Sequence, residues 1–328
     1  MSGPASAACG GSGTAASAGR WSASTGSSTC SRARVAVRAE RLAIAAAAGV
    51  GIQVGAAMVA TRIVVDEISP TTLALLRYVI GSVCLMVPLL AMRRLPRFAR
   101  ADVLPIALLG IGQFAALVVL LNFGLRSITA ARGSVIFASM PLITMVLGAA
   151  LGREPMTLPK TIGVCLTIAG VALALGEKLL EGGGRAEWIG AAAAFGSALC
   201  GAVCSVYYRP YLRRYPTIEV SAFAMAASVV ALLAAALAEG GLGEIATLTP
   251  RGWGATLFIG LSSGIGYVLW LWALGNASPT RVTAFLSLSP IAASGLGLLV
   301  LGERPGALLI LGGLAVVLGL WVAYRDPR

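Results

Sequence analysis

The sequence predicts an all-α polytopic membrane protein: ten transmembrane helices arranged as two inverted-topology five-helix repeats. Three observations predict it. The 328 residues are 58% hydrophobic and only 12% charged, about half the charge of a soluble domain. So few polar groups cannot cover a globule of this size in water. Apolar runs recur at close to twenty residues, the length that crosses a hydrocarbon core about 30 Å thick. The chain also repeats itself. Arg132–Pro155 and Arg281–Pro305 each begin with arginine, run apolar through a central proline and end in Gly, Glu, Arg and Pro. The pairs Arg132/Arg281, Pro141/Pro290 and Glu154/Glu303 are each 149 positions apart, the mark of a duplicated unit.

Residues 1–40 are rich in Ser, Ala, Gly and Thr. That composition cannot bury a core and is expected to form a disordered, low-complexity tail. It has no compact apolar segment followed by a small-residue cleavage site, so it does not read as a signal peptide. The first repeat is expected over 41–177, with helices at about 42–65, 70–91, 103–125, 130–151 and 159–176. An external linker over 178–187 contains three consecutive glycines. The second repeat, 188–328, holds helices at about 188–209, 217–238, 252–274, 279–301 and 306–324, then a short C-terminal tail. These segments are apolar nearly all round, as lipid requires. Pro70, Pro159, Pro216 and Pro279 mark helix starts, where a missing N–H costs little.

The net charge is +12. Its basic residues lie between apolar runs, which suits anchoring at an anionic membrane surface rather than contact with nucleic acid. With the N-terminus cytoplasmic, 17 of the 25 basic residues fall inside, and 13 against 8 once residues 1–40 are omitted. The bias predicts both termini in the cytoplasm. Five is an odd number, so the second repeat must enter the membrane upside down relative to the first. Inverted repeats place a solute site near the midplane, between the halves.

The stretch Ile68–Tyr78 (ISPTTLALLRY), the GREP and GERP ends at Glu154 and Glu303, and the glycine-rich fifth and tenth helices together resemble the drug/metabolite transporter superfamily. Within it, the chain looks like the ten-helix EamA-type proteins from residue 42 to 324. The resemblance implies export or exchange of a small metabolite by alternating access in a plasma membrane, most simply a bacterial inner membrane. It implies no particular metabolite: an amino-acid-like solute, an organic acid and an amphipathic drug-like solute all fit. It also implies that the fifth and tenth helices are peripheral. A non-transporting scaffold or receptor, and an intramembrane lipid-modifying enzyme, are the competing readings.

Arg77 is the first candidate for contact with substrate. It lies about 10 Å into the second helix, where a cation needs a cavity or a partner. It could meet an anionic group such as a carboxylate, or serve structurally, bonded to carbonyls or paired with Asp66 or Glu67. Gln53, Gln113 and Asn122 are the amides inside helices one and three. Tyr267 and Trp270, three apart on one face of helix eight, join Ser287 as further lining candidates. Pro141 and Pro290 each remove a backbone hydrogen bond in mid-helix and mark kinks or hinges. Ser139 and Ser287 stand near enough to satisfy the carbonyls so freed. Glu154 and Glu303 end their helices where the dipole disfavours an acid. They are expected to latch onto a neighbouring arginine or another helix's N-terminus.

Histidine is absent, and all thirteen acidic residues lie outside the expected helices or at their ends. No midplane proton carrier of the usual kind is present, and no phosphate-binding loop. Cys200 and Cys204 are one turn apart without a second pair, so no metal site is expected. The chain is not expected to be an enzyme or to need a cofactor. A small-molecule solute and membrane lipid are the expected partners; association into a homodimer stays open.

Overall fold

The computed structural model describes residues 23–91, 97–152, 156–180, 184–277, 282–283 and 285–324. The chain divides into two units, Met1–Ala39 and Glu40–Arg328. What is described of the first is the start of helix α1, which reaches back to Ala23, well inside the stretch expected to be unstructured. The rest of this section concerns the second unit.

The described residues are entirely helical in regular structure. The helices are α1 (Ala23–Val64), α2 (Pro70–Ala91), α3 (Arg100–Ser127), α4 (Ala130–Ala150) and α5 (Leu158–Leu180). They continue with α6 (Arg185–Arg214), α7 (Thr217–Glu239), α8 (Pro250–Asn276), α9 (Phe285–Leu301) and α10 (Ala307–Tyr324). Among the described residues, seven stretches are long and apolar enough to cross a membrane: Ala39–Val64 of α1, Pro70–Val87 of α2, and all of α3, α4, α6, α7 and α8. Leu158–Ala174, Phe285–Leu301 and Ala307–Ala323 are shorter apolar helices.

Local chemistry sets several of the boundaries. Thr249 caps α8 by accepting from Gly252 N at 3.0 Å, and Pro250 opens the helix. Thr129 caps α4 by accepting from Arg132 N at 3.2 Å. Gly152 and Gly302 close α4 and α9 with φ of +65° and +67°, a left-handed conformation that glycine adopts without a Cβ penalty. These two glycines are 150 positions apart, one more than the prolines upstream. The extra residue is taken up in α9, where Gly297–Leu301 winds as a π-helix, the form a one-residue insertion adopts inside an α-helix.

The helix contacts follow a two-fold pattern. Raising or lowering each helix number by five turns α3–α6 into α8–α1, α2–α8 into α7–α3, and α4–α6 into α9–α1, all of which are made. The pairs α2–α7, α4–α9 and α5–α10 map onto themselves and are also made. The main core, with Tyr78, Phe114, Met140, Tyr208 and Trp270, is built from the other eight helices. Helices α5 and α10 pack mainly on each other and share a separate small cluster with Ala131 and Val135 of α4.

Candidate functional site

A cavity of about 40 Å³ lies at the centre of the main core. Its walls come from α1 (Val50, Gln53, Val54), α2 (Arg77), α3 (Gln113, Leu117), α4 (Phe137, Met140), α8 (Gly266, Tyr267, Trp270) and α9 (Leu286). Both repeats therefore contribute. The space suffices for two or three water molecules and not for a metabolite, so a solute can occupy it only if the helices move apart.

Arg77 is 8% exposed. Its one hydrogen bond among the described residues runs from Nε to Ser263 Oγ on α8 at 2.7 Å. The guanidinium carbon lies 5.6 Å from the centre of the Tyr78 ring, within cation–π range. Among the described residues, no Asp or Glu lines the cavity. Arg77 is not paired with Glu67, which instead accepts from Thr249 N and Oγ1, both at 2.9 Å. A buried cation with free donors and no counter-charge is the kind of group that holds an anion.

The neighbouring groups are also under-used. Gln113 and Trp270 are each 3% exposed, and neither Gln113 Oε1 nor Trp270 Nε1 has a partner. A buried polar atom left unsatisfied costs about 1–3 kcal/mol. Gln113 belongs to a π-helical stretch of α3, Ile111–Ala116, a feature common at functional sites. Gln53 donates to Ser262 Oγ at 3.1 Å, linking α1 to α8. Tyr78, Phe114 and Tyr267 form a three-ring cluster with centroid separations of 5.4, 4.4 and 5.9 Å. The Tyr78 and Tyr267 hydroxyls are 3.0 Å apart.

Of the candidates taken from sequence, Gln53, Arg77, Gln113, Tyr267 and Trp270 meet in this cavity. Asn122 does not: its Nδ2 donates to Pro70 O at 3.1 Å and ties α3 to the start of α2. Ser287 is half-buried in the turn Phe285–Ser287 and stands outside the lining, although its neighbour Leu286 is part of it. Ser263 stands beside Tyr267 and Trp270 in helix eight, while Gly266 and the Tyr78–Phe114 pair contribute without a signal of their own in the sequence. For Tyr78, adjacency to Arg77 was the hint.

Helix α4 breaks into Ala130–Phe137 and Met140–Ala150, with Pro141 opening the second piece. Pro290 follows a 3₁₀ turn in α9. Ser139 does not satisfy the break in α4, because its buried Oγ has no partner. In α9 the donor is Ser289 rather than Ser287. Glu303 accepts from the backbone N of Ala130, the first residue of α4, at 3.2 and 3.4 Å, and lies 3.6 Å from Arg62. Its partner is thus a neighbouring helix's N-terminus. Glu154 falls outside the described residues.

A bundle of apolar helices, built from two corresponding halves around a largely apolar central cavity with a few polar groups, defines a multi-pass membrane protein. The sequence profile of the EamA-like transporter family matches residues 41–176 and 188–325, one match for each half. The chain belongs to that family, within the drug/metabolite transporter superfamily. It is 31% identical over 271 residues to a probable terminal-alkyne amino-acid exporter of Streptantibioticus cattleyicolor, covering 81% of this chain and 88% of that one. It is 25% identical over 262 residues to an uncharacterized transporter of Archaeoglobus fulgidus, covering 80% and 90%. A solved crystal structure shares the fold, with a TM-score of 0.65 and 20% identity over 85% of this chain and 96% of the other.

Proposed function

We propose that this chain is a secondary carrier that exports or exchanges a small amphipathic metabolite bearing a carboxylate. It works by alternating access across the plasma membrane, a bacterial inner membrane, with both termini cytoplasmic. Ten helices cross in two inverted repeats, 41–177 and 188–328, with α5, α9 and α10 among the crossings. The observation that carries this reading is Arg77: buried between the repeats, free of any carboxylate among the described residues, and aimed into a cavity of both halves. Its guanidinium takes the solute's carboxylate. Trp270 Nε1 and Gln113 Oε1 offer a donor and an acceptor to the polar end, and the Tyr78–Phe114–Tyr267 rings and Leu117, Met140 and Leu286 receive the apolar part. The name of the Streptantibioticus relative, an amino-acid exporter, agrees in chemical class.

The cavity's small volume supports a closed intermediate, with Pro141 and Pro290 as the bends about which α4 and α9 move. Counterflow in proteoliposomes, screened over amino acids, organic acids, nucleosides and cationic drugs, tests the reading. Exchange of carboxylate-bearing amphiphiles, and not of cations, is expected. Exchange confined to cations would overturn the assignment to Arg77, and no exchange of any solute would favour a scaffold.

A further inference from the structure

We infer that the end of the bundle carrying Glu67, Glu239, Glu244 and Glu303 is a gate, in which carboxylates fasten one repeat to the other and must release for the cavity to open on that side. The inference rests on the carrier reading above and extends it to the means of closure.

Each of the four carboxylates reaches across the repeats. Glu303, after α9, accepts from Ala130 N at the start of α4 and faces Arg62 at the end of α1. Glu244, in the turn after α7, accepts from Ser69 N just before α2 at 2.6 Å. Glu239, at the end of α7, accepts from Thr71 Oγ1 at 3.0 Å. Glu67, between α1 and α2, accepts from Thr249 N and Oγ1 before α8. Arg132 and Glu187, 3.8 Å apart at the starts of α4 and α6, add a fifth contact at the same end. Arg62 also donates to Leu125 O at 2.7 Å, and Arg126 returns the contact by donating to Val65 O and Ile68 O at 3.1 and 2.9 Å. The ends of α1 and α3 are thereby tied to one another beside Glu303.

Three of the carboxylates take backbone N–H groups at or just before a helix start, where the dipole favours an anion. Glu67 and Glu244 are half-buried and Glu239 is exposed, so their contacts are worth well under the cost of a buried ion pair; Glu303 is more enclosed, its side chain 13% exposed. A set of weak, wet contacts holds a face shut and still lets it open reversibly. At the opposite end, the described polar links between repeats include Asp102, which accepts from Tyr215 Oη at 2.6 Å and from Arg214 at 3.5 Å, and Ala99 N, which donates to Tyr215 Oη at 3.2 Å.

Two arms test the gate in a chain whose six cysteines have been replaced. In the first, Val54→Cys reports on the cavity wall and the exposed Gly243→Cys marks the carboxylate face; Val50→Cys is an independent cavity reporter. An impermeant maleimide is applied to either side of oriented vesicles. Slow labelling of the cavity from the marked face is expected. Adding Glu67→Gln with Glu303→Gln should raise that rate about fivefold, the effect of shifting a closed–open equilibrium by two weak contacts. Equal labelling from both faces in the parent, or an unchanged rate in the double variant, overturns the gate. In the second arm, Arg62→Cys and Glu303→Cys are bridged by a bifunctional methanethiosulfonate. Counterflow should stop and return on reduction. Undiminished counterflow by the bridged chain refutes the gate and leaves the carrier reading intact. If the unbridged chain exchanges no solute, the carrier reading fails and the labelling arm alone decides the gate.

Discussion

Ser289 Oγ donates to Leu286 O at 2.6 Å, the carbonyl that Pro290, having no N–H, leaves without its helical partner. At the corresponding break in α4, Ser139 Oγ is buried and makes no bond. The two repeats treat the same proline differently, and the difference is measurable. Ser289→Ala should destabilise the protein by about 1–3 kcal/mol, since it strands a buried carbonyl, whereas Ser139→Ala should be neutral or stabilising, since it removes a stranded hydroxyl. Thermal unfolding in detergent micelles checks both; equal losses would contradict the assignment.

Arg77→Ala should leave the protein in the membrane and lower kcat/KM for a carboxylate solute by tenfold or more, on the order of 1.4 kcal/mol of lost binding. Arg77→Lys should restore little, because an ammonium lacks the planar fork that meets both carboxylate oxygens. Counterflow with the acid and with its neutral amide separates the two effects: the amide should be nearly insensitive to either change.

Gln113→Met and Trp270→Phe each remove a polar atom that the structure leaves unsatisfied. Both variants should match or exceed the parent in thermal stability, because an unpaired buried group is lost. Both should also bind solute less well. This exchange of function for stability is characteristic of site residues. A variant less stable than the parent, with transport unchanged, would make its residue a packing element.

Gly55 lies where an added Cβ would strike Ser289 O and Ala292 of α9. Gly55→Ala should therefore force α1 from α9 and cost about 1–3 kcal/mol. Gly295 has open space at the same position, and Gly295→Ala should gain a few tenths of a kcal/mol from reduced unfolded-state entropy. Melting temperatures of the pair should move in opposite directions.

Much of this was legible because membrane burial leaves a coarse signature. Apolar run lengths placed the helices, and an arginine two turns into one of them had to face something polar. Tyr267 and Trp270 follow from a spacing of three. Asn122 misled because an amide's direction depends on helix rotation. The π-turn between Gln113 and Asn122 breaks the constant period from which rotation is read. The partner of Glu303 could not be chosen from sequence, since the N-terminus of α4 lies 173 residues away along the chain. The repeat was visible, but aligning its glutamates hid the shift that the left-handed glycines reveal.

That shift bears on energetics. In a rocking carrier with two identical inverted halves, the inward-open and outward-open forms would be related by symmetry and equally populated. One residue more in α9 than in α4, wound into the π-turn at Gly297–Leu301, lifts that degeneracy. On the proposed alternating-access reading, the unloaded carrier is therefore expected to rest on one side before any solute gradient acts on it.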